Sequence, residues 1–186
     1  GENMRIIIHR GTHEIGGSCI EIQNKDTRII IDIGIPLNVA EIDSDDILPK
    51  VEGLYSSTFP QKKVNAIFIS HSHLDHYGLL GNISKEIPIF IGEASKDLIE
   101  ISNLFMKDKC SINNYQILKA ENPILIGSIK VTPFLIDHSA FDSYCFFIEA
   151  DGKKILYTGD FRNHGRKGKL TDKITGRYQS ILMQLL

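Results

Sequence analysis

An α/β (α+β) fold, built around one polar edge where hydrophobic strands end, is what this sequence predicts. Three features lead there. Short runs of branched and aromatic residues recur from Met4 to Tyr157. A segment between them repeats its apolar residues at helical spacing, and the runs end again and again in histidine or aspartate. A length of 186 residues suits one sizeable domain with a substantial core and is too short for two ordinary ones.

Composition narrows the function classes. An apolar fraction of 42% and a charged fraction of 24% are those of an ordinary soluble globular protein. The net charge of -2 attracts no polyanion globally, so nucleic-acid binding would need a local basic patch. Cys19, Cys110 and Cys145 are odd in number, far apart and without C-x-x-C spacing, which reads as free thiols in a reducing compartment. No segment approaches the roughly twenty apolar residues of a membrane span, and no signal peptide opens the chain. A cytoplasmic location without membrane attachment is the expectation. Gly1-Glu2-Asn3, ahead of Met4, reads as a cloning remnant.

The first half alternates strand and helix. Met4 to His9 is a short apolar run, and Ser18 to Gln23 alternates through Cys19, Ile20, Glu21 and Ile22 like a half-buried strand. Between them, Gly11, Gly16 and Gly17 make a tight loop; no helical pattern comes after it, which excludes a dinucleotide loop. Arg28 to Ile33 runs apolar through Asp32 into Gly34, and an aspartate there either meets a partner or forms a turn. Pro36 to Thr58, with Glu41, Asp43, Asp45 and Asp46, reads as a solvated excursion. Val64 to Ile69 is the next strand, followed by a helix over Asp75 to Ser84 and a strand over Ile87 to Ile91. A helix over Glu93 to Met106 would place Leu98, Ile101, Leu104 and Phe105 in the core.

After Lys107 strands dominate: Pro123 to Ile126, Ser128 to Phe134, Ser143 to Glu149 and Lys153 to Tyr157. The Asp151-Gly152 pair between the last two is a strong hairpin signal.

The chemistry concentrates in Ile69-Ser70-His71-Ser72-His73-Leu74-Asp75-His76, directly after a buried-strand pattern. Imidazole and carboxylate without a nearby thiolate suit zinc, manganese or iron rather than a Cys-rich structural zinc. His71 and His73 face the same way only in an extended or turning segment, since on a helix they would lie about 200° apart. Asp75 and His76 are adjacent and can face a second centre. Other strand ends carry Asp32, His138 and Asp160. If the runs pair, these groups converge at one sheet edge. His71, His73 and His138 would then hold a first ion, Asp75 and His76 a second, with Asp160 as the bridge. Asp32 would accept a ligand imidazole N–H and fix its tautomer. Two such ions acidify a shared water, hold it as hydroxide and stabilise charge on the attacking and leaving oxygens of a hydrolysis. Asp32, Asp75 and Asp160 are the candidate catalytic carboxylates.

Together these motifs resemble those of the metallo-β-lactamase-fold hydrolases. The H-x-H-x-D-H motif stands as His71-Ser72-His73-Leu74-Asp75-His76, the strand-end Asp as Asp32, the third histidine as His138, and the bridging Asp as Asp160 in Tyr157-Thr158-Gly159-Asp160. The resemblance covers roughly Met4 to Arg162. It implies an αββα sandwich and one or two Zn2+ ions, with Mn2+ as the alternative. His76 after Asp75 resembles the phosphodiesterase, glyoxalase and lactonase branches. His73, where flavo-diiron relatives carry Glu, favours zinc over a redox di-iron centre.

Gly11-Thr12-His13-Glu14-Ile15-Gly16-Gly17 further resembles the G-x-x-E-I-G loop of ribonuclease J and related β-CASP RNA-processing nucleases, as does Gly159-Asp160-Phe161-Arg162 with Gly165-Arg166-Lys167. That resemblance implies a zinc phosphodiesterase acting on RNA. His13, Glu14, Gly16, Arg162 and Arg166 are its candidate substrate-binding residues. In that group a cap domain succeeds the bridging Asp, and a later histidine completes the second metal site. Residues 4–186 are therefore expected to be an incomplete domain, lacking cap and C-terminal half. His164 is the sole histidine after Asp160 and competes with the loop reading of its basic surroundings. His13 suits either substrate contact or a loop hydrogen bond, and His9 reads as structural. The competing functions are a hydrolase of thioesters, lactones or other small esters, and an inactive metal- or RNA-binding fragment. A homodimer is the expected assembly if the protein associates.

Overall fold

The computed structural model describes residues 3–11, 16–37, 47–55, 62–106, 109–136 and 139–160. The described elements are β1 (Arg5–Arg10), β2 (Cys19–Asn24), β3 (Thr27–Ile31), β4 (Ala66–Phe68), α1 (Leu74–Tyr77), β5 (Ile89–Ile91), α2 (Glu93–Ser102), β6 (Tyr115–Ile117), β7 (Ile124–Ile126), β8 (Ile129–Leu135), β9 (Tyr144–Ala150) and β10 (Lys153–Tyr157). One sheet runs β1-β2-β3-β4-β5-β6 and the other β10-β9-β8-β7. In the first, β1, β2 and β3 pair antiparallel, and β3 through β6 are parallel. The second is antiparallel throughout.

Residue alternation explains the layering. In β3, Ile29 and Ile31 join the core between the sheets with Ile129, Val131, Phe146 and Ile148. Ile30 points the other way, into a core with Ile67, Ile69, Tyr77 and Ile99. Both faces are covered, so the run is continuously apolar, as parallel strands require. Phe68 anchors the inter-sheet layer. It is fully buried, stacks on Phe90 at 4.8 Å and meets Phe146 edge-on at 5.6 Å. The Asp151-Gly152 hairpin forms as expected, with positive φ at both residues and Lys153 paired to Ala150.

Three expectations about local structure need correction. The helix over Asp75 to Ser84 is only α1, followed by a 3₁₀ turn at Leu80–Asn82. The extension of β3 binds this segment instead: Ile35 N–H donates to the Leu74 carbonyl (2.9 Å), Ile33 to His76 (2.8 Å), and Leu79 to Ile33 (3.0 Å). Second, α2 ends at Ser102, and Leu98, Ile101, Leu104 and Phe105 are exposed, the last by 86%. Its buried residues are Ser95 and Ile99. The helical spacing holds, but the buried stripe lies about 100° round the helix from Leu98 and Ile101. Third, β6 went unrecognised because an edge strand exposing Tyr115 and Gln116 lacks an apolar run.

Cys19, Cys110 and Cys145 are buried free thiols. Among the described residues no helix is long and apolar enough to cross a membrane.

Candidate metal centre

The centre is built where β3, β4 and β10 end. Asp32 comes directly after β3 with φ at +59°, a left-handed conformation that aspartate tolerates better than most residues. Its own N–H donates to the Phe68 carbonyl at 2.9 Å, which aligns it with the end of β4. The side chain is fully buried and meets four donors. Ser70 N–H reaches Oδ1 at 2.8 Å. Oδ2 accepts from Ser70 Oγ at 2.7 Å, His76 Nδ1 at 2.7 Å and Tyr157 OH at 2.6 Å. A carboxylate without solvent contact is tolerable because four donors converge on it, one at Oδ1 and three at Oδ2. Asp32 thus faces His76 and is sealed from solvent.

The histidines are set by the turn after β4. His71 and His76 are buried, with ring centroids 4.0 Å apart. His73 lies edge-on to His71, its Nδ1 3.2 Å from His71 Nε2. Ser70 Oγ is also 3.0 Å from His71 Nδ1. Because His76 Nδ1 donates to Asp32, neutral His76 presents a lone pair at Nε2. That atom faces Asp75 Oδ2 at 3.6 Å and Asp160 Oδ2 at 3.5 Å. Three electron-rich atoms thus point at one another, an arrangement that a cation between them resolves. Burial works to lower the His76 pKa, but the Asp32 hydrogen bond and charge, then Asp75 and Asp160, raise it from 6.5 to about 9. A proton fills the place when nothing else does, and a divalent ion would release it. His71, His76 and Asp160 each bring one ligand atom within 4.8 Å of the others. This nitrogen and oxygen donor set fits zinc or manganese.

Backbone packing holds the loop in place. A Cβ on Gly34 would stand 1.6 Å from the Asp75 carbonyl oxygen, so only glycine lets the β3 extension pass beneath the motif. Ser18 N–H donates to that same carbonyl at 3.0 Å, and Gly34 N–H to Ser18 at 3.0 Å. Gly16, at φ +81°, packs on the Asp75 side chain, which a Cβ would approach to 2.9 Å. Among the substrate-binding candidates Gly16 thus lies against the centre.

The structure brings together Asp32, His71, His73, Asp75, His76 and Asp160. His13, Glu14, His138, Arg162, His164 and Arg166 lie outside the described residues. Two participants were missed. Ser70 sits inside the motif, where a serine between strand and histidine reads as a spacer. Tyr157 reads as an ordinary strand residue, and only its distance to Asp32 reveals the hydroxyl's role. His9 donates from Nε2 to Glu21 at 2.7 Å, beside the Arg28 Nε donation to the same carboxylate at 2.6 Å.

Known proteins resemble this chain in sequence and in fold. The chain is 29% identical over 179 residues to a ribonuclease J 2 of Streptococcus pyogenes, covering 91% of this chain and 31% of that protein. It is 31% identical over 163 residues to an RNase J-like protein of Methanocaldococcus jannaschii, covering 82% and 35%. It is 28% identical over 168 residues to cleavage and polyadenylation specificity factor 73 of Drosophila melanogaster, covering 80% and 23%. The chain thus spans about a third or less of the length of these relatives. A crystal structure of a protein of unknown function from Enterococcus faecalis has the same fold, with a TM-score of 0.83 at 24% identity, covering 95% of this chain and 48% of that one. The metallo-beta-lactamase fold protein YhfI of Bacillus subtilis superposes with a TM-score of 0.55 at 15% identity, covering 83% and 62%. A family profile for the metallo-beta-lactamase superfamily matches residues 14–183, the span that contains every group of the centre. This chain therefore belongs to the metallo-beta-lactamase superfamily.

Proposed function

We propose that this chain is the metal-binding part of a zinc-dependent phosphodiesterase that cleaves RNA. One observation carries the reading: His76 Nε2 is oriented by Asp32 and aimed between Asp75 and Asp160, beside His71. RNA as substrate is supported by the similarity to ribonuclease J proteins and by Gly16, which packs on Asp75.

Bound divalent ions would supply Lewis acidity and a nucleophile at neutral pH for attack on a phosphodiester. The chain's own groups divide the remaining work. Asp32 keeps the proton on His76 Nδ1 and leaves Nε2 for the ion. Buried His71 and His76 close the inner side of the centre to water. Asp75 and Asp160, with side chains 19% and 54% exposed, form the open side from which a phosphodiester approaches.

The test is incubation of the protein with labelled single-stranded RNA and zinc or manganese. Shortened RNA, with loss of at least a hundredfold in His76→Ala, is the expected result. Intact RNA with rapid turnover of chromogenic carboxylic esters would replace this reading with the small-ester hydrolase.

A further inference from the structure

We infer that Tyr157 is a positioning residue whose hydroxyl, bonded to Asp32, straps the two sheets together so that Asp160 and His76 meet at one ion. This rests on the metal reading above. Oδ2 of Asp32 receives three donors, and two of them, Ser70 and His76, come from the turn after β4 and the short helix α1 that continues it. Tyr157 comes from β10, in the opposite sheet. Its hydrogen bond therefore sets one sheet against the other.

The strap matters because β10 leads straight into a ligand. Asp160 lies three residues beyond Tyr157, and between them Gly159, at φ +56°, turns over Ser70, whose Oγ a Cβ there would meet at 3.5 Å. The end of β10 is thus seated on the Asp32–Ser70 pair before the chain delivers Asp160 to 3.5 Å from His76 Nε2. A backbone link, from Tyr144 N–H to the Ser70 carbonyl at 2.9 Å, joins the sheets at the start of β9, and β10 is tied to β9 by the pairing of Tyr157 with Phe146; the Tyr157 hydroxyl is the bond that β10 itself makes to Asp32. Burial, then the Asp32 charge, push the Tyr157 phenol well above its usual range, so it stays a donor. Its ring stacks near Phe146, at 6.4 Å, and phenylalanine can keep that contact.

The experiment measures zinc affinity by chelator competition in the wild type, Tyr157→Phe, Asp160→Ala and the double variant. Tyr157→Phe is expected to weaken zinc by about 3- to 10-fold, less than the roughly 10- to 100-fold typical of groups bonded directly to a ligand, because Tyr157 acts one bond further away. In the Asp160→Ala background the same change should weaken it by less than twofold. Unchanged affinity in Tyr157→Phe, or equal losses with and without Asp160, would overturn the strap while leaving the metal centre standing. A wild type that takes up no zinc would overturn the metal reading and the strap with it. Should Tyr157→Phe fold poorly, the wild type still decides: a Tyr157 hydroxyl proton that exchanges with water too fast to be seen by NMR contradicts its buried bond to Asp32.

Discussion

Replacing Asp32 by asparagine tests the electrostatic logic of the centre with almost no change of shape. The amide keeps an acceptor for Ser70 N–H, but its NH2 group would face three donors, Ser70 Oγ, His76 Nδ1 and Tyr157 OH. The two hydroxyls can rotate to accept. The imidazole can accept only by moving its proton to Nε2, the atom that faces Asp75 and Asp160. Zinc affinity should therefore fall about 10- to 100-fold, or about 1.4 to 2.7 kcal/mol. In the metal-free protein the His76 pKa should drop from about 9 back towards 6.5. That raised value corresponds to about 3 kcal/mol of stability. The contribution is full below pH 6.5, where imidazole is protonated in folded and unfolded chains alike, and is lost as pH rises through 9. Asp32→Asn should thus flatten the stability profile between about pH 6 and 10. Chelator competition and urea unfolding across that range are the assays. Zinc affinity unchanged in Asp32→Asn, together with an unaltered pH profile, would refute the reasoning.

The remaining predictions concern the frame of the centre. Gly34→Ala places a methyl on the Asp75 backbone and should cost about 3 kcal/mol, read by urea unfolding. Phe68→Ala removes a fully buried ring that contacts Phe90 and Phe146 and should lower stability by about 3 to 5 kcal/mol, read from the denaturation midpoint. At Glu21 burial opposes ionisation, but hydrogen bonds from His9 and Arg28 outweigh it and lower the pKa from 4.5 to about 2. Its stabilisation is present above pH 4.5 and lost as pH falls towards 2. Acid unfolding in that window should therefore be shallower in Glu21→Gln, measured by circular dichroism.

Much of this molecule was legible before folding because its strands are buried on both faces and end in polar residues. A run such as Ile29-Ile30-Ile31 has few alternatives to a covered strand, and Asp-Gly between strands has few alternatives to a hairpin turn. Where one side faces solvent, the signal weakened. β6 exposes Tyr115 and Gln116 and went unseen, and α2 kept its period while its buried face was misplaced. The motif at 71 to 76 announced metal by residue type alone, since few other uses bring two imidazoles and an adjacent Asp-His pair into six positions.

Residue order alone specified most of the inventory: every strand but β6, the donors that terminate them, and that those donors suit a divalent ion. These depend on local spacing and side-chain chemistry. Tertiary packing selected which atom of each donor faces which neighbour. That His76 presents Nε2 and not Nδ1 is set by Asp32, 44 residues earlier, and Asp32 is held in turn by Tyr157, 125 residues later. A hydrogen bond is directional over about 3 Å, and only the closure of two sheets brings such distant groups within that reach.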